Sequence, residues 1–568
     1  MMKKFIWGLL AVLCMACYDD LGNYDYTDIN DMMLEMPKSL SVVIPKKDSV
    51  LVTVRASVSQ LDRKDNGNLS YLWKKNTKGV TWTECGTDSI CSLWVYPKDK
   101  GRITLRLAVT DKDQNIVTFG ETIVNLVAAF NRCWFVLQDI NGQSVLGAID
   151  GEGESRVVNQ DIYKKETGGV LVGKPLFLSV NNMHTTNMYD NTIATKETLV
   201  GVFTEGGTNY MLDGATLENR YTYDRMLYYK RIVTDDSLGI GLTNSNPIYA
   251  EGDSKGECII DNGVFWYARP DGYSVYYPVK SANGAWGSSP YEDYYAEMAS
   301  MAYVSGGGLN IIFDSKNNRF LSHVNIENGG NEASWNMFIH EGMSEYYEVS
   351  GVLNKNRLEP IQEQAGYPNK FNPNDIGDKD VIYMGATTSR DEPKILAVAT
   401  FGSGLYAYEF SPEMMMGEKG ANCSGYWELT PEAGNMEEKL PVATSAYFDR
   451  MFFYAVGNKI YRADLTRSTP RSYLIYEHPE SSVRITKLKF RSQREDRWDI
   501  SGGDNVEGIP CDLVSYLGAV VEYSSGEGSV VEMKLSQAGE IKKDEAKLPM
   551  AYEYKGFGKI VDFIYAFR

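Results

Sequence analysis

Aromatic side chains are the residues of this sequence best suited to recognise another molecule. Tyrosine occurs 38 times and tryptophan 10 times among 568 residues. Flat, rigid rings stack on sugar rings and on peptide side chains at a low entropic cost. The candidate ligand-binding residues are those clustered in sequence: Tyr221, Tyr223, Tyr228, Tyr229, Trp286, Tyr294 and Tyr295. The alternative is that most of these rings pack neighbouring β-sheets together.

Residues with catalytic or metal-binding chemistry are sparse. The 4 histidines show no metal-ligand spacing, and there is no G-x-S-x-G nucleophile motif. Residues 168–175 resemble a phosphate-binding loop, but Pro175 replaces the hydroxyl residue that would hold magnesium. We therefore expect no catalytic residue, no metal and no cofactor. An enzyme (a lyase, peptidase or glycosidase) stays the alternative, because only separation in space would reveal a pair of catalytic carboxylates.

The segment 111–115 alternates acidic and polar residues in the manner of a calcium loop. It contains Asp111 and Asp113, but it lacks the glycine and the closing glutamate of such loops. We interpret the segment as a solvated turn.

The N-terminus has the layout of a secretory signal peptide. Lys3 and Lys4 precede an apolar run over residues 5–16, which is too short to cross a bilayer as a helix. The run ends with Ala16-Cys17, which resembles the lipobox of bacterial lipoproteins, although Cys14 stands where an aliphatic residue is usual. The resemblance implies a signal peptide over residues 1–16 and lipidation of Cys17, and several acyl chains would anchor the protein stably.

The residues behind Cys17 are acidic and include Asp19 and Asp20. This tract resembles the surface-export signal of gut-type Gram-negative lipoproteins. It implies an outer-membrane protein that faces the cell exterior, with residues 17–30 as a lipidated tether. A tether on a periplasm-facing protein is the alternative.

Charge and cysteine content limit the possible partners. The formal net charge is −18, and removal of residues 1–16 would take away two further lysines. Nucleic acids and anionic lipids need basic patches, so we expect neither as a ligand. Cys85 and Cys91 are close in sequence and predict either a disulfide or two free thiols buried as small hydrophobes, of which we favour the thiols.

Residues 31–127 predict an immunoglobulin-like β-sandwich. Val50, Val52 and Val54 alternate with polar residues, as on a half-buried strand. The segments 71–73 (Tyr-Leu-Trp) and 108–111 (Ala-Val-Thr-Asp) resemble the core of a PKD-type domain, although Lys-Lys-Asn-Thr follows the tryptophan in place of the family's Asp-Phe-Gly-Asp. With the N-terminal tract, this part is similar to the PKD-like surface lipoproteins of gut bacteria.

Residues 128–568 predict a β-propeller, so the fold class is all-β. Seven apolar hairpins recur over residues 134–149, 199–212, 259–277, 309–324, 395–410, 452–465 and 519–535. Each reverses through Gly, Asn or Asp; for the third we place the turn at Pro270-Asp271-Gly272. The spacing favours seven four-stranded blades, closed by pairing of the last strand, near residues 560–567, with the blade that begins near Cys133. Six or eight blades, or a stack of sandwiches, remain alternatives.

The resemblance to PKD-like lipoproteins also implies a function. Similar proteins accompany starch-utilisation-type, SusC/SusD-like importers, which take up nutrients through a TonB-dependent channel. It implies a non-catalytic accessory that captures a glycan or peptide ligand. A purely structural or adhesive surface protein is the remaining alternative.

Overall fold

The computed structural model describes most of the chain after residue 29. It describes residues 30–44, 49–61, 63, 65–76, 81–96, 101–128, 130, 132–151, 156–185, 195–222, 247–253, 256–268, 277–278, 280–281, 293–304, 307–325, 356–363, 366–387, 394–412, 421–431, 440–492 and 513–567. These residues fall into two compact units, Met1–Ala129 and Phe130–Arg568. Within the described ranges, no helix has the length and hydropathy needed to cross a bilayer.

The first unit is the predicted sandwich. Its strands are Met32–Glu35 (β1), Ser39–Ile44 (β2), Val50–Arg55 (β3), Ser57–Gln60 (β4), Leu69–Asn76 (β5), Thr83–Gly86 (β6), Ile90–Val95 (β7), Gly101–Asp111 (β8) and Ile116–Ala128 (β9). They form a five-stranded sheet in the order β2-β9-β8-β5-β6 and two pairs, β3-β7 and β1-β4. Val52 and Val54 face the core, as the alternation predicts, and Trp73 is fully buried at its centre.

Asp111 binds Asn30, the first described residue, to this sandwich by hydrogen bonds. One carboxylate oxygen accepts hydrogen bonds from the side chain of Asn68 (2.9 Å) and the backbone N–H of Asp113 (2.8 Å), and the other accepts one from the side chain of Asn30 (2.9 Å). Asp111 is only 1% exposed, so the prediction of a solvated turn is wrong at this residue. The carboxylate is therefore bound by two side-chain amides and a backbone N–H, and it joins three segments of the sandwich. The hydrogen bond from Asn30 is the main cause that lowers the pKa of Asp111 to about 2.

The second unit is a β-propeller, and its described residues contain seven sheets. Blade 1, from the inner strand outwards, consists of Lys559–Phe567 (β38), Arg132–Ile140 (β10), Gln143–Asp150 (β11) and Val157–Asn159 (β12). Blade 2, in the same order, consists of Lys174–Thr185 (β13), Thr195–Glu205 (β14), Tyr210–Asp213 (β15) and Asn219–Thr222 (β16). Blade 3 consists of Pro247–Asp253 (β17), Gly256–Asp261 (β18), Val264–Ala268 (β19) and Tyr277–Pro278 (β20). Blade 4 is Ala296–Val304 (β22), Gly307–Asp314 (β23), Arg319–Asn325 (β24) and Asn356–Pro360 (β25), with Lys280–Ser281 (β21) as an added outer strand. Blade 5 consists of Asp380–Ala386 (β26), Ile395–Phe401 (β27), Gly404–Pro412 (β28) and Ala421–Leu429 (β29). Blade 6 consists of Val442–Ala443 (β30), Met451–Val456 (β31), Lys459–Asp464 (β32) and Arg471–Glu477 (β33). Blade 7 consists of Arg484–Phe490 (β34), Tyr516–Glu522 (β35), Gly528–Lys534 (β36) and Ala551–Phe557 (β37). A short helix, Ile162–Thr167 (α1), follows β12, and a 3-10 turn, Leu513–Ser515, precedes β35.

The inner strands close a ring. Successive inner strands contact one another from β13 through β17, β22, β26, β30 and β34, and β34 contacts β38, which returns to β13. The last strand, β38, pairs antiparallel with β10, which begins next to Cys133, so the predicted closure is confirmed. This pairing covers the edge of β10 and completes the first blade as a four-stranded sheet.

The predicted hairpins are the two middle strands of these sheets, with one correction. In blade 3 the middle strands β18 and β19 reverse at Asn262-Gly263, both with positive φ. The predicted pairing of residues 264–267 with the segment that ends at Tyr277 is found between β19 and the outer strand β20, where Tyr267 pairs with Tyr277, so this hairpin is not the middle one of its blade. The predicted turn at residues 270–272 lies outside the described residues. An Asn-Gly pair suits a two-residue turn because both positions need a left-handed backbone. Blade 1 reverses in the same way at Asn141-Gly142.

Candidate binding face of the propeller

The turns between the two middle strands lie at the same end of each blade as the start of its inner strand. In blade 4, Ala296 at the start of β22 pairs with Asp314, which directly precedes the turn. In blade 1, Lys559 at the start of β38 pairs with Asp139, beside the turn at residues 141–142. We call this end of the propeller the turn face. Loops on a rigid scaffold are where binding residues concentrate.

Exposed apolar side chains are concentrated on the turn face. Among the described residues of the second unit, ten large hydrophobic side chains are exposed. Seven of them lie on middle-strand turns, at the starts of inner strands, or on the connectors that lead to those starts: Ile140, Val170, Val172, Ile248, Tyr295, Tyr367 and Phe401. The other three are Val157, Leu474 and Leu548. Single exposed hydrophobics are ordinary, but their grouping on one face is typical of an interaction surface.

Tyr295 is held rigidly on the turn face beside the start of β22. Its backbone N–H donates to Asp314 (3.0 Å) and its carbonyl accepts from the N–H of Ser315 (3.0 Å). Its ring lies against Gly263 in the turn of blade 3, where a Cβ atom would be 2.3 Å from the ring. The side chain keeps 41% exposure. A fixed, half-exposed ring of this kind can stack on a flat ligand with little loss of entropy.

Tyr367 and Phe401 are the other exposed aromatic residues of this face. Tyr367 (53% exposed) belongs to the connector 361–379, which packs on the turn of blade 4 through a 3.2 Å hydrogen bond from Ile376 N–H to Asn318 O. Phe401 (52% exposed) ends β27 at the turn of blade 5. The sequence reasoning missed both residues because they stand alone and not in tyrosine clusters.

A cluster of polar side chains surrounds the Glu553 carboxylate on the turn face, between blades 6 and 7. The Glu553 carboxylate accepts hydrogen bonds from the hydroxyls of Ser529 (2.6 Å) and Tyr523, and His478 Nε2 lies 3.5 Å from it without a hydrogen bond. Lys555 Nζ lies 3.4 Å from Glu553. Burial by itself would raise the pKa of Glu553, but these two hydrogen bonds and the positive charge of Lys555 hold it below its ordinary value. An ionised, anchored carboxylate can accept hydrogen bonds from a hydroxylated ligand and is a poor general acid.

Side chains near the axis bind the inner strands to one another. The Asp562 carboxylate of β38 accepts a hydrogen bond from the backbone N–H of Leu178 in β13 (2.9 Å) and pairs with Lys489 of β34 (2.8 Å). The Tyr383 hydroxyl of β26 likewise accepts from the N–H of Thr444, the residue after β30 (3.0 Å). Desolvation lowers the pKa of Lys489, although Asp562 opposes the shift. These groups serve ring assembly, since each satisfies the free edge or the charge of a neighbouring blade.

The predicted ligand-binding tyrosines differ in their exposure to solvent. Tyr294 is 3% exposed, and its hydroxyl accepts the backbone N–H of Phe265 (3.2 Å), so it belongs to the packing alternative. Tyr295 points to the surface. The backbone of Tyr221 pairs with Met211 in blade 2, while its side chain is outside the description. Cys17, Tyr223, Tyr228, Tyr229 and Trp286 lie outside the described residues, so lipidation of Cys17 and ligand binding by the aromatic residues stay predictions.

Two further candidates among the described residues have structural roles. Gly168 ends helix α1 with a positive φ, so the segment that resembles a phosphate loop is a helix end and a connector. His323 is buried, with Nδ1 2.8 Å from the amide of Asn310 and its ring against Phe265 and Tyr267. No group of three or more potential metal-ligating side chains comes together in the parts of the chain that the structure describes.

Comparison with known proteins gives one family match and several distant structural similarities. The model of the PKD-like family matches residues 17–175, which include the whole predicted sandwich. No curated protein sequence matches the chain. The chain is similar to a quinonprotein alcohol dehydrogenase-like protein from Bacteroides thetaiotaomicron, with 12% identity and a TM-score of 0.38 over 93% of this chain and 96% of the other. It is also similar to the WD40 domain of SCAP from fission yeast (7% identity, TM-score 0.33, 67% and 74%) and to the extracellular domain of a hybrid two component system from B. thetaiotaomicron (10%, 0.19, 82% and 60%).

Proposed function

We propose that this protein is a lipid-anchored surface lipoprotein that captures a glycan or peptide on the turn face of its propeller. The observation that carries the proposal is the concentration of exposed apolar side chains on that face, with the aromatic residues Tyr295, Tyr367 and Phe401 among them. Aromatic rings supply stacking area, and the carboxylate of Glu553 supplies a fixed hydrogen-bond acceptor on the same face.

The N-terminal segment and the family match support the proposed anchor and the proposed partner. The lipobox at Cys17 and the acidic residues behind it support export to the outer surface of the outer membrane. The PKD-like match over residues 17–175 supports the similarity to lipoproteins that accompany SusC/SusD-like importers. In this role the protein passes its ligand to a TonB-dependent channel.

Binding is tested with the detergent-solubilised full chain on arrays of oligosaccharides and short peptides. Replacement of Tyr295, Tyr367 and Phe401 by alanine should weaken binding at least tenfold, because about 1–3 kcal/mol of contact is lost at each well-packed aromatic anchor. The matched control replaces Val157, Leu474 and Leu548, which are exposed elsewhere. Equal affinity of both triple variants would refute the turn face as the binding site.

Anchoring and partnership are tested in cells of the native host. A clickable palmitate analogue should label the wild-type protein and not the C17A variant. Protease added to intact cells should degrade the wild-type protein. Affinity purification from solubilised outer membrane should recover a channel protein with it. Recovery of the protein alone would contradict the importer role.

A further inference from the structure

Cys85 and Cys91 bring two sulfur atoms together between the sheets of the sandwich. Cys85 lies on β6 of the five-stranded sheet, and Cys91 lies on β7, which pairs with β3. Their Sγ atoms are 3.7 Å apart, and both thiols are free in this structure. A disulfide needs about 2.05 Å between the sulfurs, so a small side-chain movement suffices to form one.

The segment between the two cysteines is fixed by the core. The indole N–H of Trp73, which is fully buried, donates to the carbonyl of Asp88 (2.7 Å). The N–H of Ala56 donates to the carbonyl of Ser89 (3.0 Å). A Cβ atom placed on Gly86 would lie 3.5 Å from the Trp73 ring and 3.8 Å from the Cys91 sulfur, which shows how closely the three residues pack. The two sulfurs are therefore held facing each other.

We propose that Cys85 and Cys91 form an intramolecular disulfide that cross-links the two sheets of the sandwich. The oxidant is a disulfide-bearing molecule. The Cys85 thiolate attacks one sulfur of that disulfide, its S–S bond breaks, and one thiolate leaves. Cys91 then loses its proton and attacks the Cys85 sulfur, releasing the second half of the oxidant as a thiol. In total, two protein thiols become one disulfide, and one oxidant disulfide becomes two thiols.

The environments of the two thiols determine that Cys85 reacts with the oxidant first and Cys91 second. Cys85 is partly exposed, whereas Cys91 is fully buried. The hydrogen bond with Cys91 lowers the pKa of Cys85, while the same contact and burial raise the pKa of Cys91. The accessible sulfur is thus the better thiolate and reacts first. Cys91 is buried as expected, whereas Cys85 is only partly buried against the core.

The test uses oxidised glutathione as the probe on the full-length protein. After incubation, remaining thiols are alkylated in denaturant and the protein is cut with trypsin, which leaves both cysteines in the peptide 79–98. The expected peptide carries no alkyl group and is lighter by two hydrogens than the dithiol form. Cys133 and Cys423, which are fully buried with raised thiol pKa values, should be alkylated and serve as internal controls.

Two single variants identify the mechanism. In C91S, Cys85 has no resolving thiol and should accumulate as a mixed disulfide with glutathione. In C85S, Cys91 should stay unmodified because it is buried. Uptake of two alkyl groups, or of two glutathiones, by the wild-type peptide at equilibrium would overturn the proposal. Because the mapped peptide lies within the sandwich, neither result depends on ligand binding by the propeller.

Discussion

The Glu532 carboxylate and the Arg156 guanidinium lie 2.6 Å apart, although 376 residues separate them in the chain. Glu532 belongs to blade 7 and Arg156 precedes the outer strand of blade 1. Arg491 and the indole N–H of Trp134 (2.5 Å) bind the same carboxylate. The side chains of Arg156 and Glu532 are 1% and 3% exposed. This buried cluster therefore spans the junction at which the ring closes.

Replacement of Glu532 by alanine should lower the free energy of unfolding of the propeller by about 3–5 kcal/mol, because two buried arginines lose their common partner. Denaturant unfolding followed by tryptophan fluorescence measures the change. The control is E477A, which removes a half-exposed carboxylate that pairs with Lys459 and should cost at most about 1 kcal/mol. Equal effects of the two variants would show that the cluster does not stabilise the junction.

Truncation after Gly558 removes β38 and should abolish cooperative unfolding of the propeller. The deletion exposes the paired edge of β10 and the apolar face that Phe563 covers. Increased binding of a hydrophobic dye and aggregation on gel filtration are the expected readouts. A K559A variant keeps the strand and should behave like the wild type. A truncated protein that unfolds cooperatively at the wild-type midpoint would contradict closure by this strand.

Gly142 and Gly263 offer a matched pair of turn variants. Both are the second residue of an Asn-Gly turn, with φ values of 78° and 74°. G142A meets open space and should cost about 1–2 kcal/mol from the left-handed backbone alone. G263A should cost more and weaken ligand binding as well, because the new methyl group would collide with the Tyr295 ring. Thermal unfolding and the binding assay separate the two effects, and identical behaviour of both variants would exclude the Tyr295 contact.

Asp111 makes the stability of the sandwich depend on acid. In the folded protein the pKa of Asp111 is about 2, which is below the ordinary pKa of an aspartate. The ionised carboxylate therefore contributes its full stabilisation at every pH above that ordinary pKa. The effect should be lost as the pH falls through about 2. D111N should therefore unfold more easily than the wild type at pH 7, and the difference should shrink at pH 2. D113N, with an exposed side chain, is the control. A difference that does not change with pH would contradict the carboxylate's role.

Tyr294 and Tyr295 test the separation of packing from recognition. Y294F leaves the N–H of Phe265 without its acceptor and should cost about 1–3 kcal/mol of stability, with unchanged ligand affinity. Y295A should weaken binding with a small effect on stability. Circular dichroism melts and the array assay measure the two quantities. A loss of affinity in Y294F equal to that in Y295A would place the buried ring in the site.

The sequence by itself determined the local elements. Apolar runs and Gly/Asn/Asp turns act over a few residues, so most of the middle hairpins of the blades and the half-buried strand β3 could be predicted. The tertiary structure decided everything that depends on distant pairing. Neighbouring strand residues point to opposite sides, so only register and packing could bury Tyr294 and expose Tyr295. Likewise, no local pattern joins Glu532 to Arg156, which ring closure brings together. Nor does one join Glu553 to His478, which meet because blade 7 packs against blade 6.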